Sequence, residues 1–174
     1  MRWMLAAMLG IAACNPSPKI SQDAPNTPAS TSTSTTTAGT AVDAAPRDVG
    51  IKTIVAGQDG DALSLVRTER LKAKAEGRVL VVYAGAGWCE PCKRFKNAVQ
   101  TGALDEKLGK TTLLIFDADR DTERLGSAGY KFSFIPYVAL PGADGHPSDT
   151  AEARSKGSES WRALIAKLEA WQAL

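Results

Sequence analysis

The sequence predicts one α/β domain, at residues 47–174, preceded by a segment that cannot form a core of its own. Short apolar runs that are typical of strands covered on both faces alternate with stretches of helical character. The chain has 174 residues, of which 44% are hydrophobic. That is enough for one buried core, with some chain left over.

The charge and the cysteine count exclude several classes of protein. A balance of 21 basic to 19 acidic residues gives little support to a polyanion-binding surface, so nucleic acid is not an expected partner. Three cysteines are too few for a disulfide-stapled mini-protein. Because an odd number cannot all pair within one chain, at least one of Cys14, Cys89 and Cys92 needs a separate explanation.

The first residues predict an export signal. Arg2 supplies a positive charge, and residues 3–13 form an apolar run that is too short to span a bilayer. The run ends in Ile11-Ala12-Ala13-Cys14, which resembles the bacterial lipobox. This resemblance implies a lipoprotein signal peptide at residues 1–13 and lipidation of Cys14. The alternative is an ordinary signal peptide followed by a chance cysteine.

The signal also predicts a location. A lipidated chain would lie in the bacterial cell envelope, facing the periplasm, with the membrane as a partner through its lipid anchor. Asn15 stands where the enteric sorting rule places the aspartate that retains lipoproteins at the inner membrane. The outer membrane is therefore favoured.

Residues 14–46 predict a disordered linker that begins with the lipidated cysteine. The stretch is rich in Ser, Thr, Pro and Ala, and its only sizeable aliphatic residues are Ile20 and Val42. It cannot bury enough surface to offset the entropy of ordering it. As a flexible coil it would reach on the order of 30 Å, holding the domain away from a membrane.

Four apolar runs predict the strands. They are residues 49–55, 78–84, 111–116 and 134–140. The last contains Pro136 near its start, which is a tolerated position for proline. The sequence Pro-Gly-Ala-Asp-Gly at residues 141–145 then predicts a hairpin turn.

Helices are predicted between and after these runs. They cover residues 61–76, a segment opened by residues 88–95, a short stretch after the polar residues 117–121, and the C-terminus. Asp59 or Asp61 is the candidate N-cap of the first helix, and Gly77 is its stop. The last helix is amphipathic, and its apolar face predicts core packing. That face carries Trp161, Leu164, Ile165, Leu168 and Trp171.

The chemistry is concentrated in Trp88-Cys89-Glu90-Pro91-Cys92. A Cys-x-x-Cys pair is typical of a zinc half-site or of a redox dithiol. Zinc is disfavoured, because the only other Cys or His ligands are Cys14, behind the linker, and His146, in a predicted turn. A purely structural disulfide is also disfavoured, because so small a loop would constrain the unfolded chain little. A redox-active pair with no metal and no cofactor is the favoured interpretation.

The placement of the pair explains why it can react. The N-terminus of a helix offers free N–H groups and a positive dipole end, which stabilise Cys89 as the thiolate that disulfide exchange needs. Pro91 suits the first helical turn. Cys89 is the expected nucleophile and Cys92 the resolving thiol. Trp88 either shields the site or packs, and the cations after Cys92 are interpreted as a solvated helix face.

These residues resemble the active site of the thioredoxin family. Trp88-Cys89-Glu90-Pro91-Cys92-Lys93 is similar to the family's Trp-Cys-Gly-Pro-Cys-Lys, with Glu90 in place of glycine. The resemblance implies a thioredoxin fold, with a central mixed sheet flanked by helices. It also implies that Pro136 is the family's cis-proline facing the dithiol, and that Ile135 offers backbone groups to a substrate peptide.

Two departures concern proton transfer. Tyr83 stands six residues before Cys89, where the family usually has a buried aspartate. If Asp119 matches the family's strand-end aspartate, Ile115 stands where a partner lysine is common. Loss of both is consistent, since one buried charge without the other is costly. Glu90 or water is then a candidate proton acceptor for Cys92; alternatively, Glu90 is an exposed residue that tunes the potential.

The expected function is a membrane-anchored protein-disulfide reductase. The Glu-Pro pair between the cysteines resembles that of reducing thioredoxins more than the Pro-His pair of strong oxidants. The expected partners are disulfide-containing exported proteins and an unidentified thiol electron donor, such as a membrane conduit. We expect a monomer. The alternatives are a disulfide oxidant or isomerase, and a non-catalytic binding lipoprotein with a thioredoxin shape.

Overall fold

The computed structural model describes residues 50–155 and 157–174. The predicted signal peptide, Cys14 and the predicted linker lie outside the described residues. The strands are β1 (Lys52–Val55), β2 (Val79–Gly85), β3 (Thr111–Asp117), β4 (Tyr137–Pro141) and β5 (Pro147–Glu152). The helices are α1 (Ala62–Ala75), α2 (Glu90–Gln100), α3 (Asp105–Leu108), α4 (Ala118–Ser127) and α5 (Ala163–Gln172). A short 3-10 turn, Ser160–Arg162, precedes α5.

The strands form one mixed sheet in the order β1-β3-β2-β4-β5. β1 and β2 both run parallel to β3. β4 is antiparallel to β2 and to β5. The carboxyl ends of β1, β2 and β3 therefore meet at one end of the sheet, and their amino ends meet at the other.

Helices cover both faces of the sheet. One buried cluster joins α1 and α4 to residues such as Val82 and Phe116. A second cluster joins α2 and α5 to Val81 and Tyr83, the neighbours of Val82 on the opposite face of β2. Successive strand residues point to opposite faces, so burial on both sides requires the near-continuous apolar run that predicted β2.

Local signals at the ends of α1 act as predicted. The carboxylate of Asp61, rather than that of Asp59, caps the helix by accepting the Ser64 N–H at 2.7 Å. Gly77 follows the helix at φ +66°, in the left-handed region that favours glycine. In the C-terminal segment, Trp161 and Trp171 are buried as predicted, although Trp161 lies in the 3-10 turn before α5.

The predicted strand at residues 134–140 begins too early. In the structure β4 starts at Tyr137, which pairs with Ala84 near the end of β2. The three residues before it bend away, and the Ile135–Pro136 peptide bond is cis. Apolar character alone therefore did not separate the strand from the loop that leads into it.

Two elements have no counterpart in the sequence prediction. β5 carries the polar sequence Pro-Ser-Asp-Thr-Ala-Glu at one margin of the sheet. It shows no apolar alternation that would mark it as a strand. Only its backbone pairing with β4 identifies it as one. α3 is a single turn of four residues, too short for helical periodicity. Among the described residues, no helix combines the length and the apolar character needed to cross a membrane.

Candidate active site

The two cysteines lie at the start of α2 and are joined by a disulfide. The sulfur–sulfur distance is 2.11 Å, and the Cα atoms are 5.2 Å apart. Cys89 is the N-cap of the helix, and its sulfur accepts the Cys92 N–H at 3.2 Å. Pro91 lies in the first turn, where its lack of an N–H costs no hydrogen bond. The predicted placement of the dithiol is thus what the structure shows.

The two sulfurs differ in their access to solvent. Cys89 is 4% exposed, whereas Cys92 is completely buried one turn into the helix. Both pack in a small cluster with Ala86 and Ala118, against which Ile135 also lies. An incoming group can therefore approach Cys89 but not Cys92. The two sulfurs are therefore not equivalent, and only that of Cys89 is open to another molecule.

The loop before β4 faces Cys89. The carbonyl oxygen of Ile135 lies 3.8 Å from the Cys89 sulfur, and Pro136 beside it is buried. The loop is fastened at two points. The Pro136 carbonyl accepts the Ala153 N–H at 3.0 Å, and the Glu152 carboxylate accepts the Ser133 N–H at 2.9 Å. The structure thus brings Ile135 and Pro136 beside the dithiol, as the resemblance implied.

An exposed aromatic ring borders the disulfide. Trp88 is 68% exposed, so it does not pack into the core. Its indole N–H donates to both carboxylate oxygens of Asp119, at 2.9 and 3.2 Å. Phe134, next to Ile135 in the chain, is 49% exposed. Trp88 and Phe134 thus expose apolar ring surface next in sequence to Cys89 and Ile135, respectively.

Glu90 belongs to a chain of ion pairs along α2. Its carboxylate lies 3.3 Å from Arg94 Nε and 3.8 Å from Lys93 Nζ. Arg94 also pairs with Glu159 at 2.9 Å, and Glu159 accepts from Arg162. The hydrogen bond from Arg162, with the nearby Arg94 charge, lowers the pKa of Glu159. Glu90, Lys93 and Arg94 are all exposed, so this helix face is solvated as expected, and it carries ion pairs in addition.

Tyr83 is a buried phenol at the position where the resemblance implied a carboxylate. The ring is completely buried and stacks on Phe95 with centroids 5.3 Å apart, opposite Ile115 on β3. Its hydroxyl has no hydrogen-bond partner among the described residues. Desolvation raises the pKa of Tyr83 far above its ordinary value of 10.0. The hydroxyl therefore stays protonated at neutral pH and cannot accept a proton from Cys92.

Three residues of this neighbourhood were not found by sequence reasoning in the roles they have here. Asp119 holds Trp88, Glu152 holds the Pro136 loop, and Glu159 extends the ion pairs of Glu90. Each is separated from its partner by at least 19 positions, and no local pattern marks such a contact. The described residues contain no cluster of three or more His, Cys, Asp or Glu side chains that could hold a metal ion.

Comparisons with known proteins place this geometry in context. No protein-family model matches the chain, and no curated protein matches it. Solved structures do resemble it. A disulphide isomerase from Xylella fastidiosa Temecula1 is 20% identical, covers 65% of this chain and 95% of its own, and has a TM-score of 0.49.

Two thioredoxins show a similar degree of likeness. A mutant thioredoxin from Halobacterium salinarum NRC-1 is 20% identical over 72% of this chain and 93% of its own, with a TM-score of 0.44. A wild-type thioredoxin h from poplar is 20% identical over 70% of this chain and 95% of its own, with a TM-score of 0.44.

The architecture is that of a thioredoxin fold. The sheet order β1-β3-β2-β4-β5, the dithiol at the N-terminus of α2 and the cis-proline beside it are the features that define it here. The predicted fold class is therefore confirmed.

Proposed function

We propose that this chain is a membrane-anchored thiol–disulfide oxidoreductase that reduces disulfide bonds in exported proteins. One observation carries the proposal: Cys89 and Cys92 form a disulfide at a helix N-terminus, with only Cys89 open to a reactant. A disulfide that closes so short a loop adds little to stability. Its chemistry, rather than its cross-link, is the better explanation of the pair.

The reaction follows from the order of the two sulfurs. The Cys89 thiolate attacks a substrate disulfide, forming a mixed disulfide and releasing one substrate sulfur as a thiolate. The Cys92 thiolate then attacks the Cys89 sulfur, which releases the second substrate thiolate and forms the Cys89–Cys92 disulfide. Two electrons pass to the substrate, and each released thiolate takes up a proton. A dithiol donor must afterwards reduce the pair.

The helix supports the first step electrostatically. The Cys92 N–H already points at the Cys89 sulfur, at 3.2 Å, and the positive end of the α2 dipole lies there. Both favour the thiolate form of reduced Cys89. Because Tyr83 cannot accept a proton, the proton of Cys92 must leave to water or to Glu90.

The direction of electron flow is part of the proposal. No histidine lies between the cysteines, and Glu90 places a negative charge beside Cys89. Less stabilisation of the thiolate means a weaker oxidant, so the potential should lie nearer about −270 mV than about −120 mV. The proposed substrates are disulfides in exported proteins, and the donor is a thiol of the envelope.

The anchoring rests on the first residues of the sequence. The apolar run that ends in Ile11-Ala12-Ala13-Cys14 supports lipidation of Cys14 in the cell envelope, with the outer membrane favoured. Replacing Cys14 with alanine should release the protein from the membrane fraction or leave it unprocessed. Unchanged fractionation would contradict the anchoring without touching the dithiol chemistry.

A trapping experiment tests the activity. Cys92→Ser should accumulate mixed disulfides through Cys89, and the trapped proteins would identify the substrates. Cys89→Ser is the matched control and should trap far fewer. Equal trapping by both variants would contradict the assigned order of the sulfurs. A titration of the dithiol against glutathione decides the direction, and a potential near the oxidant end would favour the oxidant or isomerase alternative.

A further inference from the structure

A cationic cavity lies at the end of the sheet opposite the disulfide. It has a volume of about 380 Å³, and its lining includes Arg70, Lys74 and Arg78. No aspartate or glutamate is among its lining residues. Val79, the first residue of β2, also lines the cavity. Cys89 lies beyond the other end of that strand, after the short loop that follows Gly85. Seven strand residues separate the two ends by about 20 Å.

Each of the three cations has side-chain N–H groups without a hydrogen-bond partner among the described residues. Arg70 uses only Nε, which donates to the Pro141 carbonyl at 3.2 Å. One terminal nitrogen of Arg78 donates to the Gly50 and Thr111 carbonyls, while its Nε is buried without a partner among the described residues. Within the part of the chain that the structure describes, none of the three forms an ion pair. Lys74 is exposed beside them.

Two carboxylates near these cations are paired with other lysines. Asp149 accepts the indole N–H of Trp171, which lines the cavity, and pairs with Lys167 at 2.7 Å. Glu76 follows α1 and is bound by Lys52 at 2.6 Å. That hydrogen bond, with a smaller contribution from the Arg78 charge, lowers the pKa of Glu76. The carboxylate is thus ionised but paired. The positive charge of Arg70, Lys74 and Arg78 is left facing solvent, although the whole chain carries a formal net charge of only +2.

The cavity is apolar inside and charged at its rim. Its other lining residues include Leu140 and the buried ring of Trp171. Leu174, also at the cavity, is 92% exposed. Cationic side chains around an apolar patch match the boundary of a membrane, where anionic headgroups lie above acyl chains.

The entry point of the chain lies at the same end. Arg78 donates to the carbonyl of Gly50, the first described residue, so residues 1–49 join the domain beside this cavity. The entry of the chain and the cationic cavity therefore both lie at the end of the sheet opposite the disulfide.

We propose that this cationic end, defined by Arg70, Lys74 and Arg78 around the apolar cavity, docks on a membrane surface rich in anionic lipid headgroups. The docking orients Cys89 toward the aqueous compartment. The biological setting rests on the membrane anchoring in the proposed function. The docking itself requires neither the lipid attached to Cys14 nor the Cys89–Cys92 dithiol.

The test uses the full chain carrying Cys14→Ala, which has no sulfur at that position for a lipid. Binding is measured to phosphatidylcholine vesicles and to vesicles in which a third of the lipid is phosphatidylglycerol. The neutral vesicles measure what the apolar leader contributes. The charged vesicles should bind more tightly, and raised salt should remove the difference.

Two matched variants locate the effect. The double variant Arg70→Gln, Lys74→Gln removes two cations of the cavity. Each substitution should weaken binding to the charged vesicles about fivefold, so the double variant should bind about 25-fold more weakly. Lys96→Gln with Lys131→Gln removes two cations elsewhere and should leave the binding unchanged. Arg78 is not substituted, because its guanidinium donates hydrogen bonds to the backbone carbonyls of Gly50 and Thr111. Thermal unfolding and reduction of the disulfide report whether each variant is folded.

Two results would overturn the docking. One is an equal loss of binding in the two double variants, which would make the attraction a matter of net charge. The other is competition by millimolar glycerol phosphate at constant ionic strength, which would make the cavity a site for a soluble anion. Neither result depends on trapping by Cys92→Ser, so failure here is distinguishable from failure of the proposed oxidoreductase.

Discussion

The indole N–H of Trp88 donates to Asp119 with a distance of 2.9 Å to Oδ2. The bond joins the residue before Cys89 to the first turn of α4, across 31 positions of sequence. It holds a largely exposed aromatic ring in one place beside the disulfide. An exposed ring that is fixed loses less entropy when a substrate packs against it.

Replacing Asp119 with alanine should therefore slow the reduction of a protein disulfide. Loss of one hydrogen bond to a charged group corresponds to roughly a tenfold effect on kcat/KM. Asp119→Asn keeps an acceptor for the indole N–H and should restore most of the rate. A small aromatic disulfide, which needs little of the ring, should be affected less. If alanine and asparagine behave alike with the protein substrate, the bond has no role in substrate binding.

The Glu90–Arg94 pair should modulate the thiolate fraction of reduced Cys89. Glu90→Gln removes a nearby negative charge, so the thiolate fraction at neutral pH should rise by less than about fivefold, as expected for exposed charges. Arg94→Gln leaves Glu90 less compensated and should lower the fraction. The pH dependence of alkylation by iodoacetamide measures both.

A double variant provides the control for this pair. With Glu90→Gln already present, Arg94→Gln should have a smaller effect, because the arginine then acts only through its distance from Cys89. Strictly additive effects would show that Arg94 does not act through Glu90.

Gly85 should tolerate no side chain while Tyr83 is present. A Cβ at Gly85 would overlap the Tyr83 hydroxyl oxygen, and the tyrosine ring cannot move away because it is buried against Phe95. Gly85→Ala should lower the free energy of unfolding by about 1–3 kcal/mol. Urea denaturation measures it.

Removing the hydroxyl should relieve part of this clash. Tyr83→Phe alone deletes a buried polar atom without a partner among the described residues, so it should be neutral or stabilising. Combined with Gly85→Ala, it should recover part of the lost stability, since the hydroxyl oxygen is the nearest atom to the added Cβ. No recovery would assign the clash to ring carbons Cε1 and Cζ, which phenylalanine keeps and which lie 2.8 Å from the added Cβ.

Asp121 should make stability depend on pH at the acid end. Its carboxylate is buried between Arg120 and Arg124 and accepts the Asp117 N–H at 2.8 Å. Burial opposes ionisation, but the Arg120 hydrogen bond, the Asp117 N–H and the arginine charges outweigh it and lower the pKa below 3.8. A lowered folded pKa means that the stabilisation is complete above the unfolded value. It is lost as the pH falls through the folded value.

Asp121→Asn should cost about 1–3 kcal/mol at neutral pH and flatten the decline of stability below about pH 4. Glu123→Gln, an exposed carboxylate on the same helix, is the matched control and should change neither. Thermal unfolding between pH 2 and pH 7 makes the comparison. An acid decline as steep in Asp121→Asn as in the parent protein would assign the pH dependence to other groups.

Much of the fold could be predicted because its main signals are local. The buried strands β2 and β3 are apolar on both faces, so their runs mark them without reference to any partner. Asp61 and Gly77 mark the ends of α1 through their own conformational preferences. The reactive pair is local too, since Cys89 and Cys92 lie one turn apart on a helix.

The remaining features depend on which segments the sheet brings together. β5 is polar, and only its backbone pairing with β4 makes it a strand. Trp88 contacts Asp119, and Ser133 contacts Glu152, through hydrogen bonds between residues far apart in sequence. The apolar run before Tyr137 predicted a longer strand, because hydrophobicity does not record where pairing with β2 stops.

The sequence by itself determined the chemistry that two cysteines at a helix start can perform, and the helices and strands that present them. Tertiary structure alone decided which sulfur is open to a reactant, which carbonyl faces it, and that Arg70, Lys74 and Arg78 gather at the opposite end. The physical reason is the range of the interactions. Conformational preferences and periodic burial act within a few residues, whereas access and the grouping of charges depend on the packing of distant segments.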